Sequence, residues 1–250
     1  MVRLHFGGVV RCHVCGSLSS LHVEHESLRE TCICVRCKAK NRQRQIAYVV
    51  CQVVGRTKNR RIDSLRTLSK VNDFVVYNTE AMGPIHDQLS TAKNYVCSEY
   101  LGDCYKSGDL VDGMTHQDLM DLSLHDESIH LVISSDVLEH IPDPYKAHEE
   151  IYRVLKRGGR HIFTVPFCSW EFRDEKRAAI DTTGNLVLLK EPIFHPDPLR
   201  SEGSLVYNIF SLEMLVNLRR IGFRTNFYHL YMPFYGILGP NALVFEAIKE

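Results

Sequence analysis

Two cysteine pairs, Cys12-x2-Cys15 and Cys34-x2-Cys37, stand 18 residues apart near the start of the chain, and they restrict what this segment can be. Residues 8–40 are poor in aliphatic side chains and rich in Cys, His and Gly, so they need a staple in place of a core. A CxxC turn lets two thiolates point at one ion, and two such turns close a four-sulfur tetrahedron with no open position. The expected staple is a structural zinc on Cys12, Cys15, Cys34 and Cys37, in a ribbon over residues 8–40. Cys32 is an alternative to Cys34, with His13, His22 and His25 as weaker substitutes. Cys51, Cys97, Cys104 and Cys168 have no partner spacing and read as plain thiols. Nine cysteines in 250 residues are too few, and the wrong parity, for a disulfide scaffold, which points to a reducing compartment.

Charge divides the chain in the same place. Residues 1–70 carry 14 Lys+Arg against 4 Asp+Glu, and residues 71–250 carry 16 against 26, although the total is neutral. A basic front on an acidic body fits two readings. The cations Lys38, Lys40, Arg42, Arg44, Arg56, Lys58, Arg60 and Arg61 either anchor a nucleic acid or dock internally on the acidic part. Against the anchor, Tyr48 is the one aromatic interleaved among them. No apolar run reaches the roughly 18 residues of a membrane span, and no signal-peptide pattern opens the chain. A cytoplasmic protein with no membrane partner is the expectation.

Beyond the cysteines the pattern turns to strand and helix alternation. Ile46, Ala47, Val49, Val50 and Val53 recur at helical spacing over 41–54, ahead of a basic connector that reaches residue 70. Strands are expected at 74–77, 95–97, 131–133 and 161–165, with helices at 84–92 and around Ala147, Ile151, Val154 and Leu155, the latter closed by Gly158-Gly159. A long irregular insertion with Pro192, Pro196 and Pro198 follows, then a helix at 211–220 and strands near 224–231 and 242–248. Such alternation specifies a parallel α/β sheet over 71–250, whose ligand lies across the carboxyl ends of its strands. Three segments have strand-end chemistry: Tyr77 to Pro84, Glu99 after the second strand, and Asp118 before the run Ser128 to Pro144.

The run Asp118-Leu119, then Asp126-x-Ser128-Ile129-His130-Leu131-Val132-Ile133-Ser134-Ser135-Asp136-Val137-Leu138-Glu139-His140-Ile141-Pro142-Asp143, and later Val154-Leu155-Lys156-Arg157-Gly158-Gly159, resembles class I S-adenosylmethionine-dependent methyltransferases of the type 11 group. The resemblance spans about residues 70–165. Residues 1–50, Phe194-His195-Pro196-Asp197-Pro198 and Gly203 to Tyr207 are similar to a subgroup with an N-terminal zinc ribbon. The resemblance implies a Rossmann-like sheet, mostly parallel with an antiparallel last strand, a lid insertion at about 167–210, and S-adenosylmethionine as cofactor. It places that cofactor against Tyr77, Asn78, Thr79, Ala81, Gly83, Glu99, Asp118, Leu119 and Ser135, with Glu99 on the ribose diol and Asp118 on the adenine. One departure stands out. The family's acidic-x-Gly-x-Gly-x-Gly loop reads Tyr77, Thr79, Ala81 and Gly83 here, so a single glycine remains and the leading carboxylate is missing.

Methyl transfer asks a protein to align a nucleophile and, where needed, remove its proton. His140 after the fourth strand, and His195, Asp197 and Tyr207 from the lid, are the candidate catalytic residues. Consecutive strand-end residues point different ways, so Asp136, Glu139 and His140 are not expected to share a cation. A small-molecule or sugar-like acceptor is the leading expectation. An RNA or protein acceptor held by the basic front, or a non-catalytic binding module with a degenerate loop, are the alternatives.

Overall fold

The structure, a computed structural model, describes residues 4–24, 26–239 and 243–250. His25, one of the weaker zinc substitutes, and Ala242, the expected start of the last strand, lie outside them. Strands β1 (Leu4–Arg11), β2 (Leu18–Val23) and β3 (Ile33–Cys34) form a small antiparallel sheet at the front. Helix α1 (Asn41–Thr57) follows, then the short α2 (Leu65–Leu68). The main sheet begins with β4 (Val76–Asn78), followed by α3 (Pro84–Leu89) and β5 (Tyr95–Cys97). After a small hairpin, β6 (Leu110–Val111) with β7 (Met114–Thr115), it continues through β8 (Ile129–Ser135), α4 (Pro144–Val154) and β9 (Leu155–Thr164).

The expected irregular insertion folds into three two-stranded pairs. They are β10 (Glu175–Lys176) with β15 (Asn208–Ile209), β11 (Ala178–Ile180) with β12 (Leu186–Leu188), and β13 (Phe194–Asp197) with β14 (Arg200–Leu205). Short pairs of this kind carry too little alternation to be read from sequence. Helix α5 (Leu212–Ile221), β16 (Phe223–His229) and β17 (Leu243–Lys249) complete the chain.

Six strands make the main sheet in the order β16-β17-β9-β8-β4-β5. Neighbours from β9 to β5 run parallel, and β17 runs antiparallel to both β9 and β16, as expected. A single parallel bridge, Glu99 to His116, extends the β5 edge. The chain leaves β4 for β5 on one side and then returns to β8 on the other, so the strand order reverses at the crevice between β4 and β8. One expectation fails locally. Gly158-Gly159 do not close the helix, which ends at Val154; they lie inside β9, where Ile129 pairs with Leu155 but Leu131 with Arg160.

The front has no separate core. Val10 and Leu21 of the small sheet, Ile46, Val50 and Val54 of α1, and Val76, Leu131, Ile133 and Ile162 of the main sheet belong to one buried cluster. On the opposite face Ile151 and Val154 of α4 and Met214 and Leu218 of α5 pack with Val132, Phe163 and Phe245. The apolar stripe expected on α1 is therefore buried, but against the sheet, which makes α1 one of its covering helices.

Candidate functional site

The four cysteines of the two pairs converge. One sulfur from each of Cys12, Cys15, Cys34 and Cys37 lies within 4.8 Å of the others, and all nine cysteines are unbridged. Each pair sits on a turn with the same backbone logic: Gly16 N–H donates to the Cys12 carbonyl at 2.7 Å and Lys38 N–H to the Cys34 carbonyl at 2.8 Å. Both closing residues are left-handed, Gly16 at φ 77° and Lys38 at φ 63°. Cys32, the alternative to Cys34, is buried outside the cluster. Four soft donors, with no fifth group among the described residues, fit a closed structural zinc site.

At the carboxyl end of β4, the chain turns through Thr79 and Ala81 into Gly83, which precedes α3 at φ 87° with open space where a Cβ would be. Asn78 and Thr79 are buried there, and Asn78 Oδ1 and Thr79 Oγ1 have no hydrogen-bond partner. Burial pushes the Glu80 carboxyl up to about 7, against the pull of Arg42. Glu99, at the end of β5, accepts from Ala81 N–H at 2.8 Å, and burial raises its pKa. Tyr77 is fully buried and its hydroxyl shares a 2.7 Å hydrogen bond with Ser98. Asp118 accepts from Met120 N–H at 2.8 Å and lines a cavity of about 500 Å³ with Tyr105, Lys106 and Ser107. Leu119 is buried beside it.

The basic front reaches the same edge. Arg29 forks onto the Asp136 carboxylate, which also accepts from Thr164 Oγ1 at 2.7 Å, and Arg42 lies 3.2 Å from it. Arg42 donates to both the carbonyl and the hydroxyl of Ser135, and Glu30 joins by accepting from Arg42 at 2.9 Å and Lys40 at 3.2 Å. Burial alone would raise the Asp136 carboxyl, but Arg42, Arg29 and Thr164 hold it well below the usual carboxylate range. Arg44 is fully buried and donates to the Ala39 and Gly236 carbonyls at 2.7 and 2.8 Å. Arg42 and Arg44 of the basic run therefore dock internally. Nothing in the spacing ties Arg29 to a residue 107 positions later, and this pairing was not legible in the sequence.

The lid brings two of the four catalytic candidates together. The His140 and His195 rings meet edge to face, 5.1 Å between centroids. Between them lies Glu139, fully buried with neither carboxylate oxygen hydrogen-bonded, and burial drives its pKa well above the ordinary value. The expectation that Glu139 and His140 diverge is wrong, because β8 has ended and both lie on the 3-10 turn Leu138–His140; Asp136 does diverge, to the arginines. Burial lowers the pKa of both histidines. Asp197 is engaged by Arg200, Ser204 and the Leu199 N–H, which ties its carboxylate to the β13–β14 turn. Tyr207 is half-buried and contributes backbone: its N–H donates to the Glu139 carbonyl at 2.8 Å. A second cavity of about 800 Å³ opens beyond β9, lined by Arg29, Val165, Pro166, Phe167, Trp170 and Asp174 among others.

Residues 89–163 match the family model described as a methyltransferase domain. The match spans less than a third of the chain and supports a methyltransferase enzyme, and the strand order is that of a Rossmann-like sheet. No curated protein matches the sequence. Among solved structures, the chain is similar to an S-adenosylmethionine-dependent methyltransferase from Mesorhizobium loti, at 16% identity and TM-score 0.44, covering 74% of this chain and 95% of that one. A putative S-adenosylmethionine-dependent methyltransferase from Listeria monocytogenes gives 17% identity and TM-score 0.44, covering 72% and 92%. Among the described residues, no helix is long and apolar enough to cross a membrane.

Proposed function

We propose that the protein transfers the methyl group of S-adenosylmethionine to a small-molecule or sugar-like acceptor, and that its front carries one structural zinc on Cys12, Cys15, Cys34 and Cys37. The observation that carries the reading is the pair of buried, unpartnered polar atoms, Asn78 Oδ1 and Thr79 Oγ1, beside an open Gly83 at the point where the strand order reverses. Buried polar atoms are almost always satisfied, so a polar ligand that completes them is the simplest account. The cofactor supplies an electrophilic methyl group on a sulfonium centre. Glu99 holds the ribose hydroxyls, and the hydrogen bond from Ala81 N–H fixes its carboxylate for that task. Asp118 and Leu119 take the adenine edge and face, Gly83 admits the backbone close to the ligand, and Tyr77 and Ser135 shape the floor.

One observation supports a small acceptor. Arg42 and Arg44, cations of the proposed nucleic-acid anchor, are already spent on carbonyl, hydroxyl and carboxylate groups of the chain. On this reading His140 and His195 face the acceptor, while Asp197 and Tyr207 hold the hairpin that presents them. Calorimetry with S-adenosylhomocysteine tests the site: Glu99→Ala and Asp118→Ala should each weaken binding by about tenfold or more, since each leaves ligand donors unpaired. Unchanged affinity in both variants would move the pocket elsewhere. No binding by the wild type would favour the non-catalytic module.

A further inference from the structure

A fully buried carboxylate at the sheet's edge has no hydrogen-bond partner among the described residues. Glu139 is 0% exposed, and neither Oε1 nor Oε2 is hydrogen-bonded. Arg42 and Arg29, the cations that would neutralise it, are engaged with Asp136. An isolated buried carboxylate is among the costliest groups a fold can hold, and those that persist are paired or coordinate a metal.

Two imidazole nitrogens face it. His140 Nε2 lies 3.8 Å and His195 Nδ1 3.7 Å from Glu139 Oε1. Those separations are too long for hydrogen bonds. They suit donors that surround one ion about 2.0–2.2 Å from each of them. One ligand atom from each of the three residues lies within 4.8 Å of the others. The tautomer of His140 is set as well. Its Nδ1 is 2.8 Å from the Leu205 carbonyl, a group that can only accept, so Nδ1 carries the hydrogen and Nε2 presents its lone pair toward Glu139.

The backbone around the cluster is fixed. Tyr207 N–H donates to the Glu139 carbonyl at 2.8 Å, and Asn208 Nδ2 to the Ile141 carbonyl at 2.9 Å, so the 3-10 turn is clamped to the chain that follows β14. Across the hairpin, Gly203 sits at φ 84° where a Cβ would lie 2.5 Å from the His195 carbonyl. Only glycine allows β14 to run this close behind His195.

We propose that Glu139, His140 and His195 bind a divalent first-row transition-metal ion. Two imidazoles and one carboxylate suit manganese, iron(II), cobalt or zinc, and three protein ligands leave the ion at least one open position, unlike the closed four-sulfur set at the front. The ligand class for that position is an oxygen donor. If the methyltransferase reading holds, that donor is the acceptor's own hydroxyl: held by the ion it would lose its proton to water, its oxygen would form the bond to the methyl carbon, and the sulfonium sulfur would leave with the electron pair of the broken C–S bond; this second step rests on that reading, whereas the binding of the ion does not.

Manganese(II) is the discriminating probe, because it favours nitrogen and oxygen ligands over thiolates and so avoids the cysteine cluster. Titration of the full-length protein followed by electron paramagnetic resonance should show one bound manganese per chain. Glu139→Gln, which keeps the volume, and His195→Gln, on a side chain 39% exposed, should each weaken it by tenfold or more. Far-ultraviolet circular dichroism and the melting temperature of both variants separate lost ligation from lost fold. A Cys34→Ser variant that remains folded should bind manganese as the wild type does. No manganese binding at millimolar concentration, or binding unchanged in both ligand variants, overturns the proposal. Binding of S-adenosylhomocysteine is read separately, so failure of the metal and failure of the cofactor site give different results.

Discussion

The two candidate sites of this chain are built in opposite ways. The cysteine cluster takes its four sulfurs from 26 consecutive residues, on two turns that each close with their own backbone hydrogen bond. The carboxyl edge of the sheet draws Arg29 and Arg42 from the front, Asn78 to Glu99 from the first two main strands, Asp136 to His140 from the chain after the third, and His195 from a hairpin 55 residues later. Spacing alone specifies the first site, whereas the second exists only once the topology is complete. Yet the two are coupled, since Val10 and Leu21 of the ribbon share a core with Leu131 and Ile162 of the sheet.

That coupling sets the largest expected effect. Replacing Cys12 with serine should abolish stoichiometric zinc and destabilise the whole protein, by about 4 kcal/mol or more, because metal binding free energy is folding free energy in such a site. Elemental analysis together with thermal unfolding checks it. A variant that loses zinc but unfolds in two separate steps would show that the front and the sheet are independent after all.

The arginine bridge between the two regions comes next. Asp136→Ala leaves Arg29 and Arg42, 18% and 12% exposed, without their shared carboxylate, which should cost about 3 kcal/mol in chemical denaturation at neutral pH. The direction with pH follows from the depressed carboxyl: its contribution is full above the ordinary Asp value of about 4 and is lost as pH falls through the lower folded value. Wild type and variant should therefore converge in strong acid. A constant gap down to pH 2 would mean that Asp136 acts through shape and not through charge.

How much of each region was legible follows the same division. The convergence of Cys12, Cys15, Cys34 and Cys37 was readable because a CxxC turn is a local object, and only Cys32 needed coordinates to be set aside. The mostly parallel sheet followed from alternation, and the antiparallel β17 from the resemblance of residues 70–165 to known methyltransferases; the strand order did not. Glu139 was not legible as a site residue. It sits between Leu138 and His140, and a strand-end rule that makes neighbours diverge fails on a 3-10 turn. Arg29 was missed because a charge pair across 107 residues leaves no trace in spacing, and the insertion hairpins because strands of two to six residues carry too little periodicity.

A smaller effect belongs to the loop that replaces the family's glycines. Glu80, raised to about 7 by burial, binds its proton more tightly in the folded chain than in the unfolded one, so folding loses stability as pH rises from about 4.5 to about 7. Glu80→Gln should remove that slope and leave the protein more stable at pH 8 by about 1 kcal/mol, the partial exposure of the side chain keeping the gain below the full linkage value. Urea denaturation at pH 5 and pH 8 gives both points. Equal stability of the two forms at pH 8 would mean that Arg42 neutralises Glu80 fully, and that the front supports the loop after β4 more strongly than burial opposes it.

The smallest effect is expected on the outer surface of the front, where the internal-docking and nucleic-acid readings part. Arg56 and Arg60 are exposed, while Arg42 and Arg44 of the same basic run are turned inward. Removing Arg56 and Arg60 should change stability by no more than about 0.5 kcal/mol, since neither supports the core. It should also leave affinity for mixed single-stranded RNA at the weak, non-specific level of about 10⁻⁴ M at physiological salt, because Arg42 and Arg44 are turned inward and Lys58 and Arg61 are paired with Asp73 and Asp63. Fluorescence anisotropy across a salt series decides the matter. Micromolar binding that falls steeply with salt and is lost in Arg56→Ala and Arg60→Ala would show that the outer face of the front, unlike its inner face, works as an anchor, and the acceptor would then be sought among nucleic acids.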